Sequence, residues 1–221
     1  RVLDRSGYFE TVTLSEDDLK RNDMYRANAQ RAKAQSRFAD YHEYLLSLEM
    51  TAEIGDFSPL YLQRITQLTN KSNQFNLTTK RYTAEQMEEV YNSDEYIRLY
   101  GKLYDKFGDN GVVAVTIGKI DSEDKGRLDI ELWLMSCRVL KRDMELAMLD
   151  SLVAQAKKRG IREIYGHYYP TAKNKMVAGL YESFGFEKIS QDEEGNTAWR
   201  LLVEGYEDKN TVIKVKEEHY A

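Results

Sequence analysis

Residues 136–143, Ser-Cys-Arg-Val-Leu-Lys-Arg-Asp, hold the chain's single cysteine and the cations Arg138, Lys141 and Arg142. A strand-like run, Leu132-Trp133-Leu134-Met135, stops in front of them. Met144, Ala147, Met148 and Leu152 recur behind them at helical spacing. Strand, turn and helix in that order set positive side chains beside the unpaired N–H groups of a helix start, which suits an anion. Three chemistries fit. Ser136, Arg138, Lys141 and Arg142 could hold a phosphate, the cations through charge-assisted bonds. Cys137, next to Arg138 and ahead of a helix, could be a thiolate nucleophile or acyl acceptor. Or the turn only redirects the chain, with Cys137 a small buried residue ending a strand. Asp143 opposes a phosphate and equally reads as a helix-start carboxylate meeting orphan donors.

Other residues could carry proton chemistry. Asp129 and Glu131 alternate on the preceding strand and share a face, so either could be a general base; surface carboxylates are the commoner reading. His167 ends a strand and reads as an ordinary strand histidine, with a base role as the alternative. Asn174 and Tyr181 are seven apart, two turns of a predicted helix, hence on one face. Tyr181 also shares an apolar stripe with Val177 and Phe184, which a core aromatic would do.

These residues need a frame. The chain has 221 residues, 42% hydrophobic, enough for one large domain or a domain with an appendage. A net charge of -5 gives no overall attraction to nucleic acid or membrane, so neither is expected as a partner. One cysteine excludes an internal disulfide and a cysteine-based metal cluster, and no metal is expected. No apolar run approaches the roughly 20 residues of a membrane span, and signal-peptide architecture is missing, so a cytoplasmic setting is expected.

Residues 1–46 read as a polar helical connector. Ser15 to Asp18 looks like a capping box, and a run without Gly or Pro follows to about residue 46. From residue 47 the pattern changes. "LEMTAEI" suits a strand. Ser58-Pro59 opens a helix with Tyr61, Ile65 and Leu68 inward, and Thr83 to Gln86 is a capping box for a helix over 84–92. "YIRLYGKLYDKF" and "GVVAVTIGKI" are predicted to be strands joined by a hairpin turn at Gly108 to Gly111. "RLDIELWLMS" completes the meander. A helix over 143–159 stops at Gly160. Then come a strand ("IREIYGHYY"), a helix over 172–184 with Met176, Val177, Leu180, Tyr181 and Phe184 inward, and closing strands "FEKIS" and "TAWRLLV". Residues 204–221 read as a loose charged tail.

This order resembles the GCN5-related N-acetyltransferase fold, an α/β mixed sheet flanked by helices, here behind a helical connector. In that fold the turn after the fourth strand binds the coenzyme A pyrophosphate with a pattern Arg/Gln-x-x-Gly-x-Gly/Ala. Arg138 keeps the pattern's first residue; Lys141 and Asp143 stand where small residues belong. "LTNKSNQFNLTTKRYT" (68–83), "FGDNGVV" (107–113), "SCRVLKRDME" (136–145) and "YYPTAKNKMVAGLYESFGF" (168–186) are similar to the C-terminal half of FkbH-like proteins, as "GYFETVTLSEDDLKRNDMY" (7–25) is to the segment joining their halves. Those proteins place a haloacid-dehalogenase-type (HAD superfamily) phosphatase half before an acetyltransferase-like half, and the phosphatase half loads a phosphoglycerate-derived acyl group on an acyl carrier protein. A start at Arg1 would then lie just beyond the phosphatase half.

The resemblance implies a site. Asn174 would bind the pantetheine arm of a coenzyme A or phosphopantetheine thioester, and Tyr181 would protonate the leaving sulfur. The loop between the first two helices of the fold would line the acceptor site, making Asn73, Gln74, Asn76, Thr78 and Arg81 candidates for recognising a glyceryl-type group; a loop bonding its own backbone is the alternative. The expected partners are an acyl carrier protein and a small acyl thioester. Two functions compete: acyl transfer, and a non-catalytic module that binds the carrier or its pantetheine arm for the phosphatase-like half.

Overall fold

The computed structural model describes residues 16–217; Arg1, Ser15 and His219 lie outside the described residues. Its helices are α1 (Glu16–Gln35), α2 (Tyr41–Ser47), α3 (Pro59–Lys71), α4 (Ala84–Asn92), α5 (Met144–Lys158) and α6 (Leu180–Ser183). Its strands are β1 (Thr51–Gly55), β2 (Tyr96–Asp105), β3 (Gly108–Ile120), β4 (Arg127–Met135), β5 (Glu163–Tyr168), β6 (Glu187–Gln191), β7 (Thr197–Leu202) and β8 (Lys214–Glu217). They form one sheet in the order β6-β7-β5-β4-β3-β2-β1-β8. Neighbours are antiparallel except β4 with β5 and β1 with β8.

Both faces of the sheet are covered. On one, Ile65 and Leu68 of α3 and Met87 and Val90 of α4 pack on Val115, Ile117, Leu132 and Leu134. On the other, Met144, Met148 and Leu152 of α5, with Tyr44 of α2 and Tyr181 of α6, pack on Leu99, Val113, Ile130 and Trp133. A central strand covered on both sides must be apolar on both, which is why β3 reads as a nearly continuous hydrophobic run. Helix starts follow local chemistry. The Ser58 side chain accepts from Leu60 N with Pro59 in the first turn, and Thr83 and Gln86 complete a capping box. Gly160 (φ +72°) lets the chain leave α5 through the left-handed region.

Four expectations are corrected. The connector is two helices, interrupted at residues 36–40, where Asp40 caps α2 by accepting from His42 N at 2.8 Å. The β2–β3 hairpin turns at Lys106-Phe107, because Gly108 already pairs with Asp105; the Asp-Asn-Gly run lies inside β3, where Asn110 Nδ2 reaches Leu103 O across a register shift. Residues 172–184 make no continuous helix, only a short 3-10 turn at Lys175–Val177 and α6. There Asn174 (φ −103°, ψ 17°) and Gly179 (φ −98°, ψ 9°) leave helical geometry, Asn174 Nδ2 reaching Asn76 O and Tyr169 O, and Met176 is left exposed. Residues 204–217 are not loose. Asp150 accepts from Lys209 N, Asn210 N and Tyr206 Oη, and β8 adds a strand beside β1.

Candidate functional site

β4 and β5 pair at three positions, Arg127↔Glu163, Leu128↔Ile164 and Asp129↔Tyr165, and then part. The cause lies in β4. Against β3, Leu132 pairs with Ile117 and Ile130 with Gly118, so Glu131 is one extra residue, a β-bulge. The bulge swaps the strand's faces. Leu128 and Ile130 face α5 before it, and Trp133 and Met135 do so after it. Past Glu131 the two strands leave a splay between them.

The chain's own residues 75–78 lie in this splay. Met135 N donates to Phe75 O (3.0 Å), Leu77 N to Trp133 O (3.2 Å), and Thr78 Oγ1 to Glu131 O (2.7 Å), so the segment pairs with β4. On the other side Tyr169 N donates to Leu77 O at 2.9 Å, just past the end of β5. Asn174 clamps this arrangement. Wholly buried, it donates from Nδ2 to Asn76 O (3.0 Å) and Tyr169 O (2.9 Å), and its Oδ1 accepts from Thr171 N (2.7 Å). Asn76, also buried, bonds Ser72 O and Thr79 N. The expected pantetheine-binding amide is thus consumed by protein backbone, and Asn76 and Thr78 hold the segment rather than facing a ligand. Arg81 donates to Thr69 O, Ser72 O and Asn73 Oδ1, capping the C-terminus of α3. Glu131 accepts from Lys80 Nζ at 2.8 Å and Tyr82 Oη at 3.4 Å.

Two buried donors at the splay lack partners. Tyr181 lies flat on Gly166 of β5, so close that a Cβ there would sit 2.4 Å from its ring. Its ring meets Trp133 edge-on, with centroids 6.3 Å apart. Trp133 Nε1 and Tyr181 Oη are both buried without a hydrogen bond, although Oη lies near the His167 backbone. Burial raises the phenol's pKa, so Tyr181 stays protonated as a donor. Orphan polar atoms carry a desolvation cost that native proteins seldom leave without a reason.

The turn before α5 is closed instead. Lys141 and Asp143 both have φ +62°, so the two positions that the fold fills with small residues keep a glycine-like backbone here. Asp143 occupies the N-cap position, yet its side chain makes no capping bond. Burial raises the pKa of Asp143, against the charge of His42, and that of Glu145, against its own backbone N–H and with help from the Asp143 carboxylate. Arg142 is turned inward and buried, bonding Asp105 (3.3 Å) and Arg138 O (2.8 Å) rather than facing a ligand. Arg31 of α1 grips the same fully buried Asp105 carboxylate in a fork at 2.6 and 2.9 Å. Tyr41 Oη donates to Lys141 O, so the connector covers the turn, leaving a hollow of about 770 Å³ between them.

The remaining candidates meet elsewhere. Asn73, Gln74, Ser136, Cys137 and Arg138 line one groove of about 1890 Å³ between α1, α3 and the β2–β3 hairpin. Ser136 Oγ accepts from Arg138 N and Nε, and Cys137 is exposed rather than a buried strand end. A pair that the sequence reading left in the background also emerges: His167 Nε2 and Asp129 Oδ1 are 2.9 Å apart. Burial works against ionising Asp129, but the His167 and Arg127 hydrogen bonds outweigh it and pull its pKa down to about 2. Asp129 lies on β4 and His167 on β5, which pair in the sheet, and it is this non-local pairing that joins them. Among the described residues no group of three or more His, Cys, Asp or Glu is placed to hold a metal ion, and no helix is long and apolar enough to cross a membrane.

No family model and no curated protein matches the chain. Solved structures do. The ribosomal-protein-S18-alanine N-acetyltransferase from Escherichia coli is 14% identical with a TM-score of 0.52, over 73% of this chain and 99% of its own. An acetyltransferase from Thermus thermophilus is 13% identical with a TM-score of 0.53, over 69% and 97%. The yncA protein from Salmonella typhimurium, solved with its cofactor acetyl-CoA, is 13% identical with a TM-score of 0.52, over 72% and 96%. At these identities the likeness speaks for architecture alone: the chain has the GCN5-related N-acetyltransferase fold, a mixed sheet flanked by helices.

Proposed function

We propose that this chain is the acetyltransferase-like half of an FkbH-like protein, with residues 47–203 handling a small, glyceryl-type acyl group held as a thioester on a phosphopantetheine arm. Residues 1–46 would connect it to a preceding phosphatase-like half, and an acyl carrier protein would present the arm. The observation that carries this is the pair of unpartnered buried donors at the splay, Trp133 Nε1 and Tyr181 Oη. The arm, when bound, supplies an acyl carbon already activated by its sulfur. Tyr181, kept protonated by burial, gives the departing thiolate its proton, and His167, oriented by Asp129, takes the proton of an attacking acceptor.

The fit is uneven along such a ligand. The splay suits a pantetheine arm, whose amides would replace the bonds that residues 75–78 now make with β4. A coenzyme A pyrophosphate does not suit the turn before α5, where the chain's own carboxylates and the connector already sit. A carrier-bound arm is therefore favoured over free coenzyme A. The second reading, a non-catalytic pantetheine-binding module, is favoured by the occupied splay. Titration calorimetry with an acylated 4'-phosphopantetheine and with acetyl-CoA tests the assignment. Binding of the first, at least about tenfold tighter than the second, is expected. Failure of the acylated arm to bind would end the thioester reading.

A further inference from the structure

The groove between α1, α3 and the β2–β3 hairpin gathers cations in a chain whose net charge is -5. Arg64 of α3 and Arg138, in the 3-10 turn after β4, face it, among further cations that include Lys20, Arg31, Lys71 and Lys102; Asp23 and Asp109 are its acidic lining. Arg31, Arg98, Arg127, Arg142 and Arg162 each lie within ion-pair distance of a carboxylate. Among the described residues no such pair involves Arg64 or Arg138. The half-buried Arg64 instead feels Arg138, which adds to burial in lowering its pKa. Arg138 spends Nε on Ser136 Oγ and Nη1 on the Met24 sulfur, neither of them an anion. Two guanidiniums that repel each other at the wall of a groove are a cost that an anion between them would remove.

We propose that this groove is an anion site in which Arg64 and Arg138 together take the oxygens of a phosphate carried on a flexible arm. A phosphate offers several acceptor oxygens, and guanidinium forks match them as pairs of parallel hydrogen bonds. The site adjoins the splay: Phe75 and Met135, which bond each other there, also line the groove. An arm whose phosphate sits on Arg64 and Arg138 therefore lies beside the place its thioester end must reach. Resting on the thioester reading, this places the phosphate not on residues 140–143 of the turn, which the α1–α2 side covers, but on the groove side that Arg138 shares with α3.

The test measures binding of 4'-phosphopantetheine, pantetheine and inorganic phosphate by calorimetry to the 221-residue chain and to R64Q, R138Q and K141A, with thermal melts confirming that each variant folds. The expected result is that phosphopantetheine binds more tightly than pantetheine, and that R64Q and R138Q each lose about tenfold or more of that affinity. R64K should restore part of it, and added salt should weaken binding to the native chain. Phosphopantetheine binding unchanged by R64Q and R138Q overturns the groove while leaving the thioester reading intact, as does loss in K141A alone. Inorganic phosphate bound by the native chain and lost in R64Q, with no pantetheine compound bound, keeps the groove and removes the thioester reading. No binding of any of the three overturns both.

Discussion

The turn before α5 and the splay between β4 and β5 are filled by the chain itself, but by different means. At the turn, charged side chains do the filling. Asp105 is clasped by Arg31 and Arg142, and Asp143 and Glu145 sit half-buried at the start of the helix. At the splay, backbone of residues 75–78 pairs with β4 and the end of β5, fixed by Asn174. Opening the turn would strand buried charges, each costing several kcal/mol. Opening the splay exchanges one set of neutral hydrogen bonds for another, at a net cost near 1 kcal/mol per bond. A ligand with its own amides can make that exchange; a pyrophosphate cannot displace a buried ion pair so cheaply. The splay is the adaptable region and the turn the fixed one.

That contrast can be broken at several points. The largest effect is expected from Asp105→Ala, which strands two buried guanidiniums and should cost about 3–5 kcal/mol in urea unfolding; a loss under about 1 kcal/mol would mean the turn is not held by charge. Asn174→Ala removes four hydrogen bonds around the splay and should cost about 2 kcal/mol. Amide exchange at Leu77 should speed up while exchange in α5 stays slow, and uniform acceleration would deny that the splay opens locally.

Acid should act on the far side of the splay. The folded Asp129 pKa is depressed to about 2, so its contribution is present above the unfolded carboxylate pKa and is lost as pH falls from about 4 toward 2. Allowing for partial solvent screening, that is about 1 kcal/mol. Asp129→Asn should flatten the acid limb of a stability-versus-pH curve over that window, and an unchanged limb would show the carboxylate to be unpaired in solution. The smallest effect is a gain. Asp143→Gly relieves a left-handed backbone at a residue with no capping bond, and should stabilise the fold by about 0.5–1 kcal/mol. The same change should raise pyrophosphate affinity at the turn, which would otherwise be closed for reasons beyond its carboxylates.

Local signals carried most of the fold. Ser58-Pro59 and the Thr83 capping box start helices where their chemistry says, because a cap needs residues only within one turn. The Asp-Asn-Gly run misled because the hairpin register was set by Asp105 pairing with Gly108, a cross-strand choice that no turn motif reports. The helix predicted over 172–184 is broken at Asn174 and Gly179, and buried Asn174 is held there by Asn76 O, a partner 98 positions away that no local pattern reports. The site was legible in residue types and not in roles. Asn174 and Thr78 stand out in the sequence as polar residues, yet their partners Asn76 O and Glu131 O lie 98 and 53 positions away, while the Asn76 side chain bonds only its neighbours Ser72 O and Thr79 N. Asp105, the carboxylate that ties Arg31 of α1 to Arg142 before α5, carries no local pattern at all.

The central claim is that Tyr181 works on a thioester in the splay, and Tyr181→Phe tests it most directly. Because the buried hydroxyl makes no well-formed hydrogen bond, with only the His167 backbone near it, its removal should leave stability within about 1 kcal/mol of the native chain. Turnover of an acylated phosphopantetheine thioester should fall by about 100-fold or more, with binding little changed. Equal rates in the two proteins would contradict the account and leave Tyr181 a core aromatic packed on Gly166.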